Sequence, residues 1–443
     1  MKNNTFVRTI AILLFALPAL AQQALSIEDA IRLGLQNNYS IRIARANADI
    51  ARNNAGNGTA GFLPTLNATG SVALATSDQE SSSSSPVAGV GKTDTETLNG
   101  QIALSWTVFD GFRMFAANSQ FRALANLGET SARAQIEGTV VGILTAYFNL
   151  VQQQQLLQVQ QQALEVSRQR LEKETVRREV GGSSSTDLLN AQVSFNSDRS
   201  NFINQELAVL TARQNLNLQL AQDPATEITV SDEMIIPDLG MNFDALFELA
   251  EQRNSALLAA DYSRRAAAAG VGTANSAFLP RVNLNASYGY TDRTTKNEVT
   301  NQFRPPETNT TSKDGAVSLG LSWNLFNGFR DNITRQNAKI EEKISRLQLE
   351  NTRIQLNGSL REKYETFRKQ MELLALEQEN VQAARQNLQL QQERLQLGSV
   401  SSLEFRDAQI NLIRAETALI TARFRARITR LEIDQLTGQL SIE

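Results

Sequence analysis

The 443-residue chain contains no cysteine and no histidine. Those two absences exclude disulfides, thiol nucleophiles, Cys/His zinc sites, haem ligation through His, and every Ser/His/Asp or Cys/His catalytic arrangement. Enzyme chemistry would have to rest on carboxylates, lysine or tyrosine. A Walker-type Gly-rich phosphate loop is also missing, so energy for any transport would have to come from elsewhere. Charge is sparse and nearly balanced, with 20% charged residues and a net charge of −3, which fits neither a polybasic nucleic-acid binder nor an acidic disordered tail. No cofactor, metal site or nucleic-acid partner is expected.

What is present begins with a leader. Lys2 and Arg8 precede the apolar run Thr9 to Leu17, and Ala19-Leu20-Ala21 offers a small-x-small cleavage site, the pattern of a secretory signal peptide over 1–21. The run is shorter than the ~20 residues that a spanning helix needs. Without cysteine there is no acyl anchor at the expected new N-terminus, Gln22.

The remainder is organised by an internal repeat, which has to be found before elements are assigned. Ile27 to Asn38 recurs as Phe243 to Asn254, and Phe62-Leu63-Pro64 as Phe278-Leu279-Pro280. Trp106 to Arg113 recurs as Trp323 to Arg330, and Gly181 to Gln192 as Gly398 to Gln409. The expected organisation is a first repeat over 22–222, a linker over 223–240 carrying Pro224 and Pro237, a second repeat over 241–438, and a tail over 439–443.

Within each repeat the hydrophobic period changes from helical to alternating and back. Residues 26–59 read as helix, ended by Pro64. Leu66, Ala68, Gly70, Val72 and Leu74 then alternate with Asn67, Thr69, Ser71 and Ala73. Leu98, Ile102, Leu104, Trp106 and Val108 alternate likewise with Asn99, Gln101, Ala103, Ser105 and Thr107. Strands are expected at about 64–77, 97–109, 280–291 and 315–326. Roughly 10 residues per strand suits a tilted strand crossing a bilayer, with one apolar and one polar face. A half-buried soluble sheet alternates in the same way. Residues 78–96, with the run Ser81 to Ser85, and 292–314, with Pro305-Pro306, read as long exposed loops without core-forming capacity. Long loops at one end only favour a membrane barrel.

The helices exceed what a globular domain uses. No proline lies between Gly111 and Val180, and at ~1.5 Å per residue that run reaches about 100 Å. Ile136, Ile143, Leu150, Leu157, Leu164 and Leu171 recur every seven residues, as do Leu360, Phe367, Leu374, Val381, Leu388 and Leu395, the signature of coiled-coil packing. Helices over 183–222 and 400–438 run back, so two shorter helices stacked end to end could lie beside each long one. Gln-rich 152–162 and the arginines at 423, 425, 427 and 430 read as solvated helix faces. The long helices end at turns, Val180-Gly181-Gly182-Ser183 and Leu397-Gly398-Ser399-Val400, and Ser184/Asp187 and Ser401/Glu404 have capping-box spacing.

Four strands cannot close a barrel, and open edges in lipid cost several kcal/mol per unsatisfied group, so a membrane reading requires oligomerisation. Two strands per repeat and three chains would give twelve strands, though the sequence alone does not fix three.

The leader, the duplicated helix-strand-strand-helix unit, Phe-Leu-Pro before the first strand, Val108-Phe109-Asp110-Gly111 after the second, and the Val-Gly and Leu-Gly tips resemble TolC-type outer-membrane efflux proteins over essentially the whole chain after the leader. The resemblance implies a mixed architecture, a membrane β-barrel with a long α-helical barrel, closing as a twelve-stranded homotrimer in the Gram-negative outer membrane with the helices in the periplasm. It implies a passive exit duct, not an enzyme, for efflux or type I secretion. Its partners would be outer-membrane lipid, a periplasmic adaptor (membrane fusion) protein at the tips Val180, Gly181, Gly182, Ser183, Leu397, Gly398, Ser399 and Val400, and an inner-membrane pump. Acidic residues after the second tip glycine line the family's entrance; the matching positions are Glu404 and Asp407, and three copies would set six carboxylates around one mouth. Helix capping equally suits Glu404. The family also closes its entrance with Tyr and Arg, where this chain has Leu395 and Val400; Asp187 keeps the acidic partner position. A trimeric coiled-coil adhesin is the alternative and predicts strands at one terminus only. A hydrolase using paired carboxylates is a more distant one.

Overall fold

The computed structural model describes residues 24–80, 91–182, 184–231, 234–298, 305–397 and 399–440. The leader, the run Ser81 to Ser85, and the tip residues Ser183 and Gly398 lie outside the described residues.

The first repeat contributes α1 (Ile27–Asn37), α2 (Tyr39–Asn53), β1 (Thr65–Gln79), β2 (Gly91–Phe109), α3 (Arg113–Glu179) and α4 (Ser185–Gln219). The second contributes α5 (Phe243–Arg253), α6 (Ser255–Asn275), β3 (Arg281–Asn297), β4 (Glu307–Ser322), α7 (Arg330–Gln396) and α8 (Ser402–Leu436), with one 3₁₀ turn at Ser276–Phe278. Both long helices have 67 residues and both returning helices 35. The four strands form one antiparallel sheet in the order β1-β2-β3-β4. Strands from the two repeats are thus neighbours in one sheet, contrary to the adhesin alternative, and the outer edges of β1 and β4 have no strand partner among the described residues.

Helices take the same order as strands. α3 packs against α2 and α4 on one side and α6 and α8 on the other, and α7 packs against α6 and α8. Each long helix therefore lies beside two shorter ones in series. The seam of α7 is buried at Leu360, Phe367, Leu374 and Val381, and that of α3 at Ile143 and Leu150, where Val140, Tyr147, Phe148 and Leu216 complete the main core. Tyr147 fastens the connections to this core: its Oη donates to the Leu25 carbonyl at 2.9 Å and accepts from the Ser231 N–H at 3.3 Å.

Four features differ from the sequence expectation. Gln152 is buried and Arg423, Arg427 and Arg430 are half-buried, not solvated, because neighbouring helices pack over these faces. Residues 26–59 hold two helices rather than one, because Asn38 takes an extended ψ of 124° that interrupts the ladder. Its side chain repairs the break, accepting from the Ser40 and Ile41 N–H groups and donating to the Gln219 carbonyl at the end of α4 at 2.8 Å. Asn254 does the same between α5 and α6, reaching the Leu436 carbonyl at 3.0 Å.

Within the polar segments 78–96 and 292–314, the described residues are mostly strand rather than loop. β1 and β2 stay paired out to Gln79↔Gly91, and β3 and β4 out to Lys296↔Glu307. A hairpin needs its ladder rather than a core, and cross-strand bonds such as Thr76 Oγ1 to Asp94 (2.7 Å) and Thr311 Oγ1 to Asp292 (3.1 Å) support it without apolar burial.

The strand ends are also asymmetric. β2 runs to Phe109 because β3 supplies a partner, Val282, beyond an irregularity at Thr107/Phe109. β4 stops at Ser322, short of 326, because its partner strand begins at Arg281.

Candidate functional site

The sheet separates two chemistries by register alone. One face stacks Leu66↔Leu104↔Ala286↔Val317 and Trp106↔Leu284↔Leu319 across the strands. The other stacks Thr69↔Gln101↔Gly289↔Asp314 and Ser71↔Asn99↔Thr291↔Ser312. The described residues leave the apolar face uncovered, with Val317 78% exposed. On the polar face hydroxyls and amides bond across strands, Thr107 Oγ1 to Asn283 at 2.9 Å and Ser105 Oγ to Asn285 at 3.1 Å.

At the junction with the helices, two repeated motifs found separately in the sequence touch. The Trp106 indole N–H donates to the Phe62 carbonyl at 3.0 Å, and Trp323 donates to Phe278 at 3.1 Å. Each tryptophan so places its polar edge on the Phe-Leu-Pro turn and leaves its ring on the apolar side, the disposition suited to a membrane–water boundary.

At the far end, the tips are capped helix ends. Gly181 sits at φ +77°, the left-handed conformation that a non-glycine residue resists, and Gly182 N–H returns to the Arg177 carbonyl at 2.7 Å. Ser399 N–H makes the equivalent bond to Arg394 at 3.0 Å. Val180 and Leu397 at the tips are 78% and 83% exposed.

Ser184 begins α4, its Oγ accepting from the Asp187 N–H at 3.1 Å and donating to the Asp187 carboxylate at 2.6 Å. Ser401 begins α8 with a full capping box. The Glu404 carboxylate accepts from the Ser401 N–H at 2.7 Å and Oγ at 2.9 Å, and these bonds hold its pKa below the usual carboxylate value. Capping therefore occupies Glu404 in this structure. Asp407, in the next turn, is exposed and forms no ion pair among the described residues. Leu395 and Val400 are half-buried.

Sequence reasoning missed the polar cluster just inside the tips. Arg406, beside Asp407, turns the other way and grips Asp198 of α4 with Nη1 to Oδ2 at 2.6 Å and Nη2 to Oδ1 at 2.7 Å. Their side chains are only 16% and 3% exposed. Arg406 also donates to Gln409 at 3.0 Å, and Gln409 donates to the Ala163 carbonyl of α3 at 3.2 Å. Nearby Arg170 of α3 donates to the Ser402 hydroxyl, and its burial pushes its pKa below the ordinary arginine value. The available sequence signal was the change on α3 from a branched apolar seam to buried Ala163 and Ser167, small residues that leave room for polar side chains.

A two-faced antiparallel sheet joined to coiled-coil helices of ~100 Å defines a class of membrane-strand proteins with a long helical extension. The chain belongs to the outer membrane efflux protein family, whose sequence profile matches residues 30–222 and 246–439, one stretch in each repeat. It is 22% identical over 359 residues to the outer membrane protein TolC of Escherichia coli, covering 79% of this chain and 71% of that protein. With Vibrio cholerae TolC it shares 24% identity over 175 residues, 39% of this chain and only 40% of the length of that relative. Its fold is similar to that of the Campylobacter jejuni CmeC outer membrane channel, with a TM-score of 0.79 at 15% identity over 93% of this chain and 85% of that one. The Vibrio cholerae outer membrane protein VceC gives 0.74 at 20% identity, covering 93% and 96%. The open state of the Neisseria gonorrhoeae MtrE outer membrane channel gives 0.73 at 17%, covering 94% and 90%.

Proposed function

We propose that three copies close head to tail into a twelve-stranded barrel in the Gram-negative outer membrane, continued by a helical tunnel through the periplasm. The observation that carries this reading is the agreement of the open flanks. The free edge of β1 and the outer side of α2 and α4 lie at one end of the lateral order, and the free edge of β4 and the outer side of α7 at the other. On α7, Ile333, Ile340, Leu347 and Ile354 are exposed at seven-residue spacing, and α2 exposes Ile43 and Ile50 at the same spacing. A heterologous contact joining these flanks buries both stripes and pairs the strand edges, which lipid would otherwise leave unsatisfied.

In this reading the protein enters the periplasm on a cleaved leader, spanning 1–21, and acts as a passive duct for solutes or proteins. A periplasmic adaptor engages the tip residues, Val180 to Ser183 and Leu397 to Val400, and couples the duct to an inner-membrane pump. Asp407, with Glu404 when freed from its cap, rings the entrance and attracts cations; Asp187 stands on the neighbouring tip helix.

The absence of cysteine gives a clean test. In purified protein in planar bilayers, Thr291→Cys on the polar face should react with a membrane-impermeant thiol reagent and reduce the current, whereas Tyr288→Cys on the apolar face should not. Failure of the unmodified protein to conduct would overturn the duct.

A further inference from the structure

Charge on the strands is distributed differently on the two faces. On the apolar face it begins at Lys313 on β4, Asp292 on β3, Glu96 on β2 and Asp78 on β1. Lys313 pairs with Tyr290, Asp292 with Leu98 and Glu96 with Leu74, so the onset moves outward by one same-face residue from β4 to β3 and from β3 to β2, and by two from β2 to β1, past Thr76. Strands tilted against a membrane boundary produce such a climb, and in the duct reading the boundary passes through these residues.

On the opposite face the described strand residues are Ser, Thr, Asn, Gln, Ala and Gly with three exceptions, Arg281, Arg293 and Asp314. Arg293 adjoins Asp292 and Asp314 adjoins Lys313, so both lie at the level where the outer boundary crosses their strands. Arg281 lies at the helical end, opposite Ser322. None of the three forms an ion pair among the described residues; Asp314 accepts one hydrogen bond, from the Ser312 hydroxyl at 3.0 Å.

We propose that Arg281 and Arg293, against the single Asp314, determine the charge selectivity of the barrel and make it attract anionic solutes, the opposite sign to the tip. This rests on the duct reading above. The wall between the arginine levels is neutral and hydrogen-bonded to itself, so no other strand side chain on that face offsets the excess positive charge. A narrow water-filled lumen inside low-dielectric lipid focuses that field along the axis. Negative solutes are therefore favoured through the last part of the path, after a cation-favouring entrance.

The test is the reversal potential of purified protein in planar bilayers under a KCl gradient. Arg281→Gln with Arg293→Gln should lower the chloride-to-potassium permeability ratio, and Asp314→Asn should raise it. Both shifts should shrink at molar salt, where the screening length falls to about 3 Å. As a second measurement, Thr291→Cys should react faster with an anionic than with a cationic thiol reagent of similar size, and adding Arg293→Gln should abolish the preference. Conducting variants with an unmoved permeability ratio and no reagent preference would overturn the assignment. An unmodified protein that conducts no ions would instead overturn the duct itself.

Discussion

Arg406 of α8 and Asp198 of α4 form a two-bond ion pair that ties the second repeat's tip helix to the first repeat's. Planar guanidinium and carboxylate groups meet edge to edge in this geometry, which fixes direction as well as distance. Because Asp407 follows Arg406 on the same turn, seating Arg406 inward also directs Asp407 outward. The pair sits where the apolar seam gives way to Ala163 and Ser167, so the helices near the tips are held by polar contacts as well as by buried Phe405 and Ala408.

Removing one partner strands the other charge. Asp198→Ala is expected to cost about 3 kcal/mol or more, since breaking a buried pair leaves an uncompensated ion. Replacing both, as Asp198→Leu with Arg406→Met, should recover much of that loss. Denaturant unfolding followed by circular dichroism checks both, and a single variant as stable as the unmodified protein would remove the structural role of the pair.

Glu404 gives a pH dependence of definite sign. Its pKa is lowered in the folded chain by the Ser401 N–H and hydroxyl, so its contribution to stability is present above the unfolded carboxylate pKa and is lost as pH falls through the depressed folded value. Glu404→Gln should flatten that acid limb. Combined with Asp407→Asn, it should also weaken cation selectivity and block by polyvalent cations, read by single-channel recording; unchanged selectivity would remove the acidic ring.

Gly181 tests the tips. An added Cβ meets nothing within 4 Å, so a substitution there acts through backbone strain at φ +77°, roughly 1–2 kcal/mol. Gly181→Val, alone or with Gly398→Val, should stop export in cells while heat-resistant oligomers persist. Normal export would reject adaptor docking at these residues.

The two junction asparagines offer a symmetric pair. Asn38→Ala removes an N-cap worth about 1 kcal/mol and leaves the Gln219 carbonyl without its donor. Asn254→Ala should cost a similar amount, because the Leu436 carbonyl loses the same contact. Thermal unfolding of each variant should show matching losses; unequal effects would show that the duplicated junction does not act alike in the two repeats.

Sequence alone determined the duplication, the two-faced strands and the heptad seams, because each is a local periodicity that the backbone must express: side chains two apart share a strand face, and those seven apart share a helix stripe. It also located the capping residues, whose partners lie within one turn. It did not reveal that Asn38 and Asn254 divide helices, because their decisive acceptors, Gln219 and Leu436, lie on distant helices. Nor did it reveal how far the hairpins stay paired, since Thr, Asn and Asp are loop formers until a facing strand completes their ladder. Only the tertiary structure decided that Arg406 meets Asp198, for a charge on one helix carries no mark of its partner's position until packing against α3 brings α4 and α8 together. The same packing set the order of strands and columns, and with it the two open flanks that a single chain cannot close.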